Sequence, residues 1–335
     1  MKGISKSATK PPKIAMVSDV AGVGLAETAM LKDAGYDVQF FKLPTLGASW
    51  PPVAKALAMP MRLAGYLPVI AKLRRGRYDF LHIHFITHGI VGLAVGKPYF
   101  IHAHGSDLHV NFNSQLKKAI SMRVLTHSRA IFYVTPNLSR FLEGFEEKAY
   151  LIGNPIDTVA FRARQPPSAI SDALIFARLE PVKGVDRIFE HVEDLARMVN
   201  VTAIAWGPWA REYRKRYGEI VRFIDTVPHT KVPSLLQTFD LVIGQMHQGI
   251  LSLSELEALA MGRIVITRLD QCLYVTDPPP VVNVAAADGI IDAIKRLIEH
   301  PDEVRRLSQA GPAWIEKHHG SKVHLQKLTH AYIGE

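Results

Sequence analysis

Two cations and a turn carry the clearest chemistry in this chain. Arg178 and Lys183 lie on one short loop, ARLEPVKG (177–184). A guanidinium offers a planar bidentate fork and an ammonium a mobile point charge, a pairing suited to a diphosphate. Farther along, residues 247–262 read HQGILSLSELEALAMG. This stretch follows the apolar run at 241–243, turns through Gly249 and enters a series of helix formers that Gly262 stops. A strand, turn and helix in that order leave backbone N–H groups free at the positive end of a helix dipole, where anions bind. The backbone of Gly249, Ile250 and Leu251 is the expected cradle. Two structural uses compete: an Arg178–Glu180 surface ion pair, and a capping box formed by Ser254 and Glu257.

Histidines form a second set. YDFLHIHF (78–85) and PYFIHAH (98–104) each carry His-x-His, pairing His82 with His84 and His102 with His104. Period-two spacing puts each pair on one strand face. Four histidines on neighbouring strands are potential metal ligands, but no carboxylate-rich motif nearby completes a hydrolytic centre, so no metal site is assigned. His104 opens HGSDL (104–108) at the carboxyl end of a strand, where open parallel sheets bind ligands. Ser106 or Asp107 is the expected N-cap of the helix that follows. Gly22 and Gly24, in DVAGVG (19–24), follow the first strand. Glu27 stands where a dinucleotide fingerprint needs its third glycine, and Lys42 where a ribose-binding acid belongs, so a nicotinamide site is rejected. The two glycines are expected instead to let a substrate approach the backbone.

The elements that position these residues alternate strand and helix through both halves of the chain, which predicts α/β structure with parallel sheets. AFRARQPPSAIS (160–171) is polar and proline-containing and reads as a linker. The expected architecture is two facing, doubly wound domains. Residues 1–158 form the first, 159–171 the linker and 172–317 the second, with the helix at 318–335 packing back on the first.

At 335 residues and 48% hydrophobic content the chain can bury two cores. Its one cysteine, Cys272, excludes an internal disulfide, fits a reducing compartment and reads as a packing residue. The start has no apolar core and does not resemble a signal peptide, and no stretch is long enough to span a bilayer. The formal charge of +9 is uneven: residues 1–155 hold 19 Lys and Arg against 9 Asp and Glu, and the remainder 21 against 22. Residues 50–77 mix apolar side chains with Lys55, Arg62, Lys72, Arg74, Arg75 and Arg77 and contain no acid; Pro60, Gly65 and Pro68 are expected to divide them into short helices. Insertion into an anionic membrane surface and ordinary packing with a solvated basic face fit equally. The basic residues lack a nucleic-acid-binding module.

Read together, the motifs resemble the retaining GT-B glycosyltransferases called group 1 or family 4. HGSDL (104–108), IGNPID (152–157), ARLEPVKG (177–184), WGPW (206–209), VPHTKVPSLLQTFDLVIG (227–244) and SELEALAMG (254–262) are similar to that family's motifs, in the same order. The resemblance implies two Rossmann-like domains, an N-terminal acceptor domain and a C-terminal domain that binds a nucleoside diphosphate sugar. It implies His104 near the reacting sugar, Arg178 and Lys183 on the leaving diphosphate, and Gly207 and Val227 on loops facing the nucleotide. Gly22, Gly24 and Asp107 fall on the acceptor side. Without an Asp-x-Asp motif, the cations and the helix dipole replace a metal. The family's motif carries two glutamates eight positions apart, the first on the donor sugar and the second on the ribose. Glu257 matches the second; Gly249 stands at the first, leaving Gln245, His247 or Gln248 as substitutes.

The function this implies is transfer of a sugar, with retention and front-face attack, to an acceptor that is lipid-linked or an anionic glycan. No cofactor is expected beyond the sugar-nucleotide co-substrate, and no nucleic acid. The expected location is cytoplasmic, with peripheral attachment at the inner membrane face through residues 50–77. The alternatives are a GT-B epimerase and a non-catalytic, sugar-nucleotide-binding partner subunit.

Overall fold

The computed structural model describes residues 11–45, 54, 57–284 and 289–333, so the basic start at 1–10, much of 46–56 and the expected helix start at Asp288 lie outside the described residues. The chain forms two compact units, residues 1–155 with 325–335, and residues 156–324.

The first unit is built on six parallel strands: β1 (Lys13–Val17), β2 (Asp37–Phe41), β3 (Phe80–His84), β4 (Tyr99–Ala103), β5 (Ile131–Tyr133) and β6 (Ala149–Leu151). Their order is β2-β1-β3-β4-β5-β6. The chain reverses its direction of travel across the sheet between β1 and β3, the place where doubly wound sheets bind ligands. β3 and β4 are buried along their whole length, as strands covered on both faces must be, histidines included. Helix α1 (Val23–Asp33) covers one face. Its start is fixed by Asp19, whose carboxylate accepts from the N–H groups of Gly22 (3.1 Å) and Leu25 (3.2 Å), and Gly22 takes a left-handed φ of 83° there. Leu328, Ala331 and Tyr332 join Ile14, Met16, Leu31, Phe80, Phe100 and Phe132 in one apolar layer.

Helix α2 (Met59–Arg75) corrects an expectation. Pro60, Gly65 and Pro68 do not divide the segment: Pro60 sits in the first turn, where no backbone donor is needed, and Pro68 is carried inside one 17-residue helix. Tyr66 and Leu73 anchor it to the core.

The second unit holds β7 (Asp172–Ile175), β8 (Asn200–Ile204), β9 (Arg222–Ile224), β10 (Leu241–Ile243), β11 (Ile264–Thr267) and β12 (Val282–Asn283). They are parallel in the order β12-β11-β10-β7-β8-β9, with the reversal between β7 and β10. Helix α3 (Leu253–Ala260) packs into a core shared with Trp314 and Ile315 of α4 (Pro301–His319). Helix α5 (Ser321–Ile333) then carries the chain onward, and its residues from Leu325 belong to the first unit. Cys272 is exposed on a 3₁₀ turn, not packed in a core as the sequence suggested.

The polar stretch before β7 is tied down. Phe161 and Ile170 are buried in the second unit's cores, and the Arg263 guanidinium donates to the carbonyls of Phe239 (3.1 Å) and Gln165 (3.0 Å). Each donation offsets the cost of burying that charge. Arg263→Met is expected to lower the unfolding free energy by about 1–3 kcal/mol in urea titration, since the carbonyls of Phe239, Gln165 and Met261 lose a charged donor; a midpoint equal to the parent's would show these bonds to be dispensable.

Candidate functional site

In the second unit, the loops that leave β7 and β10 meet at the switch point. The Met246 N–H donates to the Lys183 carbonyl (2.8 Å), and the Lys183 ammonium reaches Gln248 Oε1 (3.2 Å). Gly184, at φ 63°, lies so close that a Cβ there would stand 3.0 Å from the Met246 backbone and 3.1 Å from His247. The loop after β8 closes the other side. Leu179 N–H donates to the Trp206 carbonyl (2.9 Å), Trp209 N–H to the Leu179 carbonyl (3.0 Å), and a Cβ on Gly207 would collide with Leu179. Gly207 therefore serves loop packing against Arg178 and its neighbour. Arg178 is half exposed and lies 3.6 Å from Glu180, the ion pair foreseen as its competing use. Burial pushes the Lys183 ammonium below its usual range, against the pull of Glu255 and Glu180. Val227 is half buried beside the α3 core.

The carboxylate of Glu255, wholly buried, organises the turn. One oxygen accepts from the Gln245 N–H (3.1 Å) and the Thr267 hydroxyl (2.5 Å); the other accepts from the Ser252 N–H (2.6 Å) and hydroxyl (2.7 Å). Burial raises its pKa, while these donors and Lys183 oppose the rise. The capping box of α3 is thus Ser252 with Glu255, not Ser254 with Glu257 as the spacing suggested. The helix begins earlier than that spacing implied because Glu255 has buried partners on β11 and in the loop. Glu257 is released from capping; burial raises its pKa, and an N–H of the exposed His229 donates to it at 2.6 Å. Thr267 and His229 carry no role assigned from the sequence, since only folding brings Thr267, on β11, to Glu255 and His229, on the loop after β9, to Glu257.

The expected anion cradle is partly used within the protein. Leu251 N–H donates to the Tyr274 hydroxyl (3.2 Å), and the Ile250 carbonyl accepts from the Gln245 amide (2.5 Å). Gly249 takes φ 69°, its carbonyl accepts from Asp270 N–H (2.9 Å), and a Cβ there would stand 3.0 Å from the Asp270 Cβ. That conformation and that neighbour together disfavour any side chain at 249, a glutamate included. Of the three proposed substitutes, Gln245 is fully buried with its amide N–H on the Ile250 carbonyl and His247 is exposed, whereas Gln248 stands beside the Lys183 ammonium.

In the first unit, His104 is half buried just past β4, its Nε2 2.9 Å from His84 Nδ1. Burial and the nearby His102 and His84 hold its pKa well below the usual histidine range. Asp107 does not cap the following helix, whose N-cap is Gly105 at φ 91°. It is fully buried instead, accepting from the N–H groups of Ile86 (2.9 Å), His104 (3.1 Å) and Leu108 (3.0 Å), and burial pushes its pKa up to about 6. Asp107 therefore ties the loop after β3 to the loop after β4 and sets the backbone at His104.

Gly24 differs from its expected role. A Cβ there would stand 2.7 Å from the Ser18 carbonyl and 3.1 Å from the His84 ring, so the close approach is to His84 rather than to a substrate. Gly22 is exposed at the start of α1. By bringing α1 down onto β3, Gly24 also delivers Glu27 into the histidines. Its carboxylate lies 3.7 Å from His82 Nε2, 3.3 Å from His84 Nε2 and 3.2 Å from His102 Nδ1, and all four side chains are fully buried. Burial alone raises the Glu27 pKa, but the imidazoles of His102, His84 and His82 outweigh it and hold the carboxyl well below its usual range. The sequence predicts no metal site because no carboxylate-rich motif near the histidines completes a hydrolytic centre; folding brings a single carboxylate to them from a helix more than 50 residues earlier in the chain.

Two family models match the chain: Glycosyltransferase Family 4 over residues 29–160 and Glycosyl transferases group 1 over residues 171–312. Among curated proteins it is similar to one of the subunits of the phosphatidylinositol N-acetylglucosaminyltransferase of Arabidopsis thaliana, 23% identical over 186 residues, which are 50% of this chain and 41% of that protein. The chain thus matches about two fifths of that relative's length. Its structure is similar to sucrose-phosphate synthase from Thermosynechococcus elongatus, with TM-score 0.76 and 15% identity over 96% of this chain and 98% of that one. It is also similar to Anabaena HepE in complex with UDP and glucose, with TM-score 0.73 and 14% identity over 97% and 100% of the two chains. The fold is the one these proteins share.

Glu255→Ala should loosen the switch-point turn. Loss of the buried acceptor strands backbone and hydroxyl donors and is expected to cost about 3 kcal/mol of stability, read by chemical denaturation. A loss below about 0.5 kcal/mol, the size of an ordinary surface change, would mean that the turn does not depend on this carboxylate.

Proposed function

Because this chain belongs to the group 1 glycosyltransferases of family 4, the retaining GT-B enzymes that take a sugar from a nucleotide sugar, we propose that its donor is a UDP-sugar. The observation that carries the site assignment is the Lys183–Gln248 hydrogen bond at the β7/β10 switch point, on the loop that also carries Arg178. The UDP in the HepE complex supports the choice of base. The departing diphosphate gains negative charge as the glycosidic bond to it breaks. Arg178 grips it with two parallel N–H groups, exchanging its exposed pairing with Glu180 for phosphate oxygens. Lys183, already partly desolvated, meets little further cost on ligand binding. Glu257 takes the ribose hydroxyls, with the exposed His229 side chain moving aside. Gln248 provides the neutral sugar contact that replaces the family's first glutamate. His104 and the backbone that Asp107 shapes remain the acceptor-side assignment of the first unit.

The acceptor in this reading is lipid-linked. The name of the Arabidopsis relative supports it, as does α2. Met61 and Leu67 are 67% and 63% exposed on that helix, Leu63 is exposed with them, and Leu57 just before it is 78% exposed. Lys72, Arg75 and Arg77 lie at its far end. Apolar groups beside cations match a membrane surface with acidic lipid headgroups. Among the described residues no helix is long and apolar enough to cross a membrane, so attachment would be peripheral. Arg74 plays another part, donating to the Ala94 carbonyl.

Replacing Arg178 and Lys183 together by Met is expected to weaken UDP-sugar binding in calorimetry by at least about a hundredfold, from two charge-assisted contacts of about 1.5–3 kcal/mol each. Affinity equal to the parent's would overturn the site. Lys72, Arg75 and Arg77 changed to Ser should lower sedimentation with phosphatidylserine-containing vesicles by at least about tenfold, at about 1 kcal/mol per charge. Leu63 and Leu67 changed to Gln should do likewise; binding that ignores both sets would exclude α2 as the docking element.

A further inference from the structure

We propose that Glu27, His82, His84 and His102 form a closed binding site for one divalent transition-metal ion, zinc by its coordination preference, within the first unit. Each residue offers one ligand atom, and the four atoms all lie within 4.8 Å of one another. The carboxylate–imidazole separations of 3.2, 3.3 and 3.7 Å bracket the edge of a zinc tetrahedron, about 3.3 Å for metal–ligand bonds near 2.0–2.1 Å.

The sheet builds this geometry. His84 and His102 are paired across β3 and β4, and His82 precedes His84 by two residues, so the three rings share one face. His82 and His84 stack at 4.8 Å and 3° between planes, and His84 and His102 at 5.0 Å and 23°. α1 lowers Glu27 onto the open end of the stack. Neutral imidazoles can each turn an N–H toward the carboxylate, whereas a divalent ion engages one lone pair from each of the four groups at once. Nitrogen and carboxylate ligands in this number suit zinc rather than calcium or magnesium.

The outer contacts have the pattern that metal-bound histidines require. His82 Nδ1 lies 2.5 Å from the Tyr332 hydroxyl, and His84 Nδ1 lies 2.9 Å from His104 Nε2. With a metal on Nε2, each Nδ1 carries the proton and donates it outward, which fixes ring orientation. For His84 the acceptor is His104 Nε2, so the ion would hold His104 with its own proton on Nδ1. The Met16 sulfur, 3.2 Å from His84 Nε2, bounds the site with an apolar wall. All four side chains are fully buried, leaving no open coordination position for a substrate. The ion would therefore fasten α1 to β3 and β4 and position His104, and would not itself act on a substrate.

The test measures metal in the full chain, produced with and without zinc in a defined medium, by mass spectrometry. About one equivalent of zinc is expected, with a melting temperature several degrees above that of the zinc-free protein. Cobalt(II) supplied in its place should give the strong visible bands of tetrahedral coordination. Glu27→Gln and His102→Gln, which preserve side-chain size, should each lower zinc to below about a tenth of an equivalent and remove the melting shift. The proposal is overturned if the wild type holds less than about a tenth of an equivalent and melts alike with and without zinc, if its cobalt form lacks tetrahedral bands, or if both folded variants keep a full equivalent. Should neither variant fold, the wild-type stoichiometry and cobalt spectrum decide.

Discussion

The switch-point turn of the second unit rests on one buried carboxylate. Glu255 gathers Gln245, Ser252 and Thr267, and its room is made by Gly244, where a Cβ would stand 2.0 Å from Oε1. A charged acceptor in a dry place is costly unless all its lone pairs are used, and here four donors use them. The cost of getting the turn wrong is therefore high, and the turn has one shape. The backbone at 249–251, the start of α3 and the position of Gln248 beside Lys183 all follow from it. The loop after β7 inherits that shape through the Met246–Lys183 backbone bond.

The first unit uses a buried acid differently. Glu27 has imidazole neighbours rather than backbone donors, and it reaches them because Gly24 lets α1 settle on the His84 ring. Asp107, two loops away, is a third variant, a carboxylate with backbone N–H partners and a pKa near 6. Three buried acids thus hold the turn after β10, the packing of α1 on β3 and β4, and the loops after β3 and β4. In each case the polar group does local positioning work that an apolar residue of equal size would leave undone.

Much of this was legible in the chain. Alternating strands and helices announced two parallel sheets, and the ordered motifs pointed to the family. The structure brings Lys183, on the ARLEPVKG loop, to Gln248 on the turn after β10. What escaped reading was partnership across sequence distance. The sequence pointed to Ser254 with Glu257 as the capping box, whereas Thr267 on β11 holds Glu255 and thereby selects Ser252 with Glu255. Glu27 looked like a failed dinucleotide glycine because no local signal aims a helix residue at strands beginning some 50 positions later. Pro68 promised a break that tertiary anchoring through Tyr66 and Leu73 overrode.

The return of α5 has a consequence for how the protein is made. Leu328, Ala331 and Tyr332 complete an apolar layer whose other members all lie before the second unit begins, and Tyr332 also reaches His82. On a ribosome, which releases the chain from its amino end, the first unit would stand with that layer unsealed while the whole second unit is being synthesised. The earlier half would then be the later one to finish folding, and in the interval its open layer is the surface most exposed to chaperones, to aggregation and to whatever ion the histidines meet first.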